Sequence, residues 1–231
     1  MNILVTGANG QLGREMQRLS AVSPNNYTFT DVAELNVTDA GAVRQAVAQT
    51  RAEVIVNCAA YTNVERAEED EEAADRLNRG AAENLARAAE ANGATLIHVS
   101  TDYVFDGTAH LPYTEDAPTA PLGVYGRTKL AGERAVTIFS IVEGGYFAGN
   151  EGLYHFSNEG VASWYDFAAE IAAAAGHDKC RIRPCRTAEF PTKAARPAYS
   201  VLDKSKIKET FGLEIPHWRE SMLYCLKNML R

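Results

Sequence analysis

A phenol and an ammonium stand four positions apart in VYGRTKLAG, residues 124–132, as Tyr125 and Lys129. Residues at i and i+4 of a helix share a face, so the two polar tips can reach one point in space. A phenol has an ordinary pKa of about 10, and a neighbouring cation lowers it; bringing it to about 7 takes roughly 4 kcal/mol of preferential stabilisation of the anion. That is the chemistry of a general acid. The same spacing also occurs in helices that do no chemistry, so the rest of the chain has to decide.

Two further groups of residues bear on that decision. The apolar run NILVTG leads into TGANGQLG, which sets Gly7, Gly10 and Gly13 at a strand-to-helix turn. Glycines there permit a tight turn, let backbone N–H groups approach a pyrophosphate and bring helix close to strand. Such a turn can also be merely structural. Asp31, 18 residues after Gly13 at the end of the second expected strand, favours a dinucleotide site, because its carboxylate would accept hydrogen bonds from ribose hydroxyls. That role suits NAD, while Arg14 could meet the 2′-phosphate of NADP, so both cofactors stay open. STDYVFDG at 100–107 follows the fourth expected strand, and Ser100, Thr101 and Asp102 emerge where a substrate would lie. A hydroxyl at that point either caps the loop or meets a substrate oxygen. Together the glycine turn, the hydroxyl and the Tyr-Lys pair stand in the order an oxidoreductase needs.

These residues require elements to hold them. Short β-branched runs at 2–7, 27–31, 53–60 and 95–100 read as strands, and 12–19, 40–49 and 73–92 carry helical periodicity, with Gly93 as a C-cap. Strands apolar throughout and separated by helices are buried on both faces, the sign of a parallel sheet built from βαβ units. Residues 1–136 therefore read as a doubly wound α/β domain and 137–231 as a smaller α/β region. In the latter, LYHFS at 153–157 reads as a strand, 163–176 as a helix from Ser163 to Gly176, and 203–212 as a helix from Asp203 to Gly212. Pro184, Pro191 and Pro197 mark the irregular stretch between those helices. The acidic run EEDEE at 68–72 reads as the solvated first turn of the helix that follows it.

Composition closes off other classes. With 46% hydrophobic residues the 231-residue chain can fill a core. Its 30 acidic against 23 basic residues, a net charge of -7, oppose a nucleic-acid partner. Cys58, Cys180, Cys185 and Cys225 form no CxxC pair, so free buried thiols in a reducing compartment are expected and no metal site is read. No apolar run reaches a membrane-spanning length, and MNILVTGANG has no secretory pattern, so a cytoplasmic location is expected.

TGANGQLG, NCAAYT at 57–62, STDYVFDG, VYGRTKLAGE, GLYHFSN, SWYDFA and RPAYSVLD together resemble the extended short-chain dehydrogenase/reductase superfamily, and within it the reductases of dTDP-linked 4-keto-6-deoxysugars. The resemblance covers nearly the whole chain. It implies a Rossmann-like domain with a smaller substrate-binding region, and reduction of dTDP-4-dehydro-L-rhamnose to dTDP-L-rhamnose by hydride from NAD(P)H, for cell-surface polysaccharide. It implies that Tyr125 is the general acid, that Lys129 holds ribose hydroxyls and stabilises the phenolate, and that Thr101 hydrogen-bonds the carbonyl being reduced, with Asp102 beside it on the substrate side. Gly7, Gly10, Gln11, Leu12 and Gly13 would line the pyrophosphate, Asp31 the ribose, and Ala59, Ala60 and Tyr61 the cofactor beyond the strand ending at Asn57. Asn36 and Val37 would lie against the adenine; Asn36 is a departure, since relatives commonly carry an acid there. The partner implied is the nucleotide sugar, and a homodimer is compatible with it. A larger departure follows α-helical Ala135-Val136, which runs straight into Thr137, where relatives carry a further strand, an Arg-Thr-Ser-Trp motif and a Gly- and Asn-rich loop.

Two other activities share this framework. Nucleotide-sugar epimerases and dehydratases use the same fold and Tyr-x-x-x-Lys, but the dehydratases need an acidic pair directly after the threonine, and here Asp102 is followed by Tyr103. A regulatory subunit resembling the methionine adenosyltransferase β subunit would need no turnover, yet Thr101, Tyr125 and Lys129 are all present.

Overall fold

A computed structural model of the chain describes residues 1–140, 149–177 and 179–229. Four parallel strands, β1 (Asn2–Thr6), β2 (Asn26–Thr30), β3 (Val54–Asn57) and β4 (Thr95–His98), form one sheet in the order β2-β1-β3-β4. Between them run α1 (Gln11–Ser20), α2 (Ala40–Thr50), the short α3 (Val64–Ala67) and α4 (Glu71–Asp75), and α5 (Ala81–Asn92); α6 (Val124–Ser140) follows β4. One face of the sheet buries Leu4 and Ile55 against Val43 and Val47 of α2 and Leu85 of α5, and the other buries Val5 and Val56 near Met16 of α1. Each such fully buried aliphatic side chain contributes about 1.5–3 kcal/mol. Coverage of both faces makes the sheet doubly wound.

Strands and helices fall where periodicity puts them, within the usual fraying of ends. Asp39 caps α2 by accepting from the N–H groups of Gly41 and Ala42, and Gly93 ends α5 in the left-handed region. The expected helix at 73–92 starts earlier, at Glu71, and contains a π-turn over Arg76–Gly80. β4 is one edge of the sheet among the described residues, and Ile97 within it and Val99 just past it are 42% and 44% exposed.

The acidic run is not simply a solvated first turn. Asp70 does cap α4. Glu68, however, accepts from the Val124 N–H at 2.7 Å and so caps α6 from across the sequence. Glu65 takes the Lys193 N–H at 2.7 Å and the Arg196 guanidinium at 2.8 Å, and Glu69 pairs with the Lys193 ammonium. Three carboxylates thus fasten distant segments, including the arginine of RPAYS.

The chain divides into two units, 1–108 with 118–152 and 193–199, and 109–117 with 153–192 and 200–231. The backbone therefore passes between units several times, where a single cut after Val136 was expected. Val136 and Thr137 both lie within the helical backbone of α6, and residues 141–148, with the rest of TIFSIVEGG, lie outside the described residues. The second unit contains α7 (Trp164–Ala174), α8 (Ser205–Phe211) and α9 (Trp218–Met229). Ser163 and Asp166 form a reciprocal capping box on α7, and Gly212 ends α8 with φ +63°. LYHFS is not a strand: the His155 N–H goes to the Glu115 carboxylate and its ring to the Tyr113 carbonyl, and the nearest ladder contact is an isolated bridge from Glu159 to His217. Of the four cysteines only Cys58 is half-buried; Cys180, Cys185 and Cys225 are exposed, because the second unit buries few side chains. Among the described residues no helix is long and apolar enough to cross a membrane.

Candidate active site

Parallel register brings the carboxyl ends of the strands level. Thr6 stands opposite Thr30 and Asn57, and Asn57 opposite His98. The residues that follow, Gly7, Asp31, Cys58 and Val99, emerge along one edge of the sheet, where ligands of doubly wound folds bind.

At the first of these ends the backbone is shaped by missing side chains. Gly7 has φ +66°, and a Cβ there would fall 2.6 Å from the Ala59 nitrogen; one on Gly13 would fall 2.4 Å from the Gly7 carbonyl oxygen. Gly10, the N-cap of α1, provides no capping side chain, and the first turn, with Gln11 and Leu12 exposed, carries no acidic residue. The orphan N–H groups and positive end of a helix are thereby left available to an anion. Asp31 accepts from the Asn9 N–H and from the Val32 N–H, each at 2.8 Å. Those two bonds, Asn9 first, hold its pKa below the usual carboxylate value. A carboxylate has about four acceptor positions, so two remain for ribose hydroxyls. The Tyr61 hydroxyl, past β3, is buried without a partner. A cradle that Cβ atoms would fill, an uncapped helix N-terminus, an ionised Asp31 and an orphaned phenol fit a dinucleotide.

Not every expected contact is supported alike. The Asn36 amide oxygen is engaged by the Thr38 N–H and hydroxyl, at 3.1 and 2.8 Å. Val37 is 6% exposed, its side chain part of the core beneath α2 and α5 and its carbonyl bound by Asn84. Its side chain therefore offers no free surface to an adenine. Ala59 and Ala60 are half-buried, and the Ala59 N–H donates to Asn57 Oδ1.

At the last end, Thr101 caps the short turn Asp102–Val104: its Oγ1 accepts from the Tyr103 N–H at 3.2 Å and donates to Asp102 Oδ1 at 3.1 Å. The Thr101 hydroxyl also lies beside the Tyr125 phenol and favours its anion. Burial outweighs that effect, with Asp102 adding to it, and the Tyr125 pKa is raised. The sequence led to the opposite expectation, a pKa lowered by Lys129. The Lys129 ammonium instead donates to the Val99 carbonyl at 2.5 Å. Burial pushes its own pKa down to about 8, with Glu133 acting in the other direction.

Further residues hold this centre. Asn78, from the π-turn, accepts the Tyr61 N–H and donates to the Tyr61 carbonyl and to Thr128 Oγ1, tying the loop after β3 to α6. π-turns of this kind recur at functional sites. Gly126 lets α6 approach the loop, since a Cβ there would fall 2.2 Å from the Tyr103 carbonyl oxygen. Under the sheet edge, Thr6 donates to Asn57 Oδ1 at 2.7 Å and the Asn57 amide meets His98 Nδ1 at 2.9 Å. Because the Asn57 oxygen is occupied by two donors, its nitrogen faces His98, so Nδ1 accepts and the proton sits on Nε2. Burial first, then Lys129, depresses the His98 pKa to about 3. Sequence reasoning missed Asn78, His98 and Glu133; the only local signal was the place of Glu133 four residues after Lys129.

The model of the RmlD substrate binding domain family matches residues 1–142 and 137–231. A dTDP-4-dehydrorhamnose reductase of Streptomyces griseus is 36% identical over 278 aligned positions, covering 95% of this chain and 91% of the relative. That alignment is longer than the 231 residues here, so the relative carries residues without a counterpart in this chain. Among solved structures, a dTDP-4-dehydrorhamnose reductase from Clostridium acetobutylicum superimposes with a TM-score of 0.93 at 33% identity, covering 100% of both chains. The Bacillus anthracis reductase, solved in complex with NADP, gives 0.85 at 29% identity and covers 95% of this chain and 96% of its own.

Proposed function

The chain belongs to the RmlD substrate binding domain family, and from that membership we propose that it is an NAD(P)H-dependent oxidoreductase that reduces dTDP-4-dehydro-L-rhamnose to dTDP-L-rhamnose. The observation that carries the reading is the meeting of the Thr101 hydroxyl and the Tyr125 phenol, one turn from a fully buried Lys129, on the sheet edge that also bears the Gly7 turn and Asp31.

Gly7, Gly10, Gln11, Leu12 and Gly13 hold the pyrophosphate on the N-terminus of α1, Asp31 accepts from the adenosine ribose, and Ala59, Ala60 and Tyr61 line the path towards the nicotinamide. Asn36 and the Val37 backbone border the adenine. Bound NAD(P)H supplies hydride to the ketone carbon. Thr101 turns its one hydroxyl proton from Asp102 to the ketone oxygen, while the Tyr103 N–H still holds its oxygen in place. Tyr125 gives its proton to that oxygen as alkoxide charge develops, so the charge is neutralised where it forms. The phenolate left behind is stabilised by Lys129, which turns from the Val99 carbonyl to the ribose hydroxyls and the phenol; a buried ammonium is effective there because little water screens it. The smaller unit contributes recognition of the sugar nucleotide. A cytoplasmic location accords with free thiols and an acidic chain, and a homodimer with the exposed Trp164, Phe190 and Tyr224.

The test is to incubate the full chain with NADPH or NADH and dTDP-4-dehydro-L-rhamnose and follow nicotinamide absorbance with product analysis. Stoichiometric oxidation of cofactor and appearance of dTDP-L-rhamnose are expected. A product isomerised or dehydrated with no net oxidation of cofactor would move the chain to the epimerases and dehydratases. No chemical change with either cofactor at saturating substrate would refute catalysis of this reaction.

A further inference from the structure

The face of α6 that carries Tyr125 and Lys129 continues one turn further, to Glu133, since residues four apart lie one above the other on a helix. Lys129 is 2% exposed, and its ammonium is hydrogen-bonded to an uncharged group, the Val99 carbonyl. A buried ammonium without a counter-charge surrenders its proton. The residue after Val99 is Ser100, whose buried hydroxyl finds no partner at full hydrogen-bond geometry yet lies close enough to the Glu133 carboxyl to stabilise its ionised form. Glu133 thus follows Lys129 by one turn on α6, and the Val99 carbonyl just past β4 holds its ammonium.

We propose that Glu133 is a positioning residue of the proton-transfer centre: from one turn beyond Lys129 its carboxylate supplies the counter-charge that keeps the buried ammonium protonated, with the Ser100 hydroxyl, two residues past β4, as its own anchor. The proposal rests on the assignment of Tyr125 and Lys129 to proton transfer. Among the described residues, two titratable groups bear on Lys129. From α6 comes Glu133 and from β4 comes His98, which is neutral at ordinary pH. Glu133 in turn feels Lys129 and Arg134, both on α6. The π-turn places Asn78, bonded to Thr128, and α5 places Ala82 beside Gly132, neither of them charged. Burial lowers the Lys129 pKa, and Glu133 is the group that resists it. The same burial raises the Glu133 pKa, with Ser100 and Lys129 opposing it, so the two groups sustain each other's charge.

The experiment is an NMR titration of nitrogen-labelled lysine in the full chain without cofactor, on wild type, Glu133→Gln and Glu133→Asp. The proton affinity of the Lys129 ammonium is expected to fall about tenfold or more in Glu133→Gln, the size of effect that an adjacent opposite charge exerts, and to fall less in Glu133→Asp, whose carboxylate is one methylene shorter. Should Glu133→Gln not fold, a smaller fall in Glu133→Asp still supports the proposal. Lys129 titrating as in wild type in either folded variant overturns it. In turnover, kcat at neutral pH should drop with the protonated fraction of Lys129 and recover in Glu133→Asp. A changed Lys129 titration in a protein that reduces no sugar nucleotide would support the counter-charge and refute the reductase assignment, so the two failures are separable.

Discussion

Lys129 and Val99 are 30 residues apart in sequence, yet the ammonium of one donates to the carbonyl of the other at 2.5 Å, at the point where β4 ends. A lysine held this way inside a protein is costly, because burial disfavours its charged form. Replacing it by Met keeps the aliphatic stem and removes the charge. Lys129→Met removes that cost but also leaves the Glu133 carboxyl without its neighbouring cation and the Val99 carbonyl without its donor, so no gain in thermal stability at neutral pH is expected, while cofactor Kd rises and the pKa governing the alkaline limb of kcat moves upward. Calorimetry, fluorescence titration of cofactor and a pH profile at saturating cofactor check the three parts. A destabilised variant with normal cofactor affinity would make Lys129 structural.

The Tyr103 and Tyr125 rings meet edge to face, with centroids 5.5 Å apart. Tyr125→Phe preserves that contact and removes only the proton. Turnover should fall by about 10²-fold to 10⁴-fold, as for loss of a general acid, with cofactor Kd nearly unchanged. Retention of more than about a tenth of the wild-type kcat would exclude Tyr125 as the proton donor.

Asp31 has two tasks, since its carboxylate grips the Asn9 N–H of the glycine turn and faces the space expected for a ribose. Asp31→Ala should weaken NADH binding more than NADPH binding, because the lost carboxylate accepts from ribose hydroxyls but repels a 2′-phosphate. Paired titrations with the two reduced cofactors measure this. Equal losses would leave Asp31 with the turn alone.

His98 provides a stability test with a definite sign. Its folded pKa is depressed from 6.5 to about 3, so below pH 6.5 the unfolded chain takes up a proton that the folded one refuses. Stability from this group is complete above about pH 6.5 and declines on acidification, by about 1.4 kcal/mol per pH unit within the window. His98→Asn cannot titrate, and the wild-type minus variant stability measured by denaturant unfolding should slope accordingly from pH 6.5 downward. A flat difference would mean that His98 titrates in the folded protein as it does in the unfolded chain.

The sequence by itself determined whatever depends on neighbours along the chain. The strand and helix periods of the first domain, the stop at Gly93, the N-cap at Ser163, the turn at Gly7 and the one-turn spacing of Tyr125 and Lys129 are all local, so each was legible residue by residue. Tertiary structure decided what depends on partners far away. LYHFS has a strand's composition but no ladder partner among the described residues, and a strand without a ladder is not one. Glu68 reads as solvated until the Val124 N–H arrives to be capped. The direction of the Tyr125 pKa was decided there too: a helix supplies the spacing of a phenol and an ammonium, but how deeply the phenol is buried, and that the ammonium turns to Val99, follow only from α6 closing over the end of β4, because desolvation is set by everything that surrounds a group and not by its position in the chain.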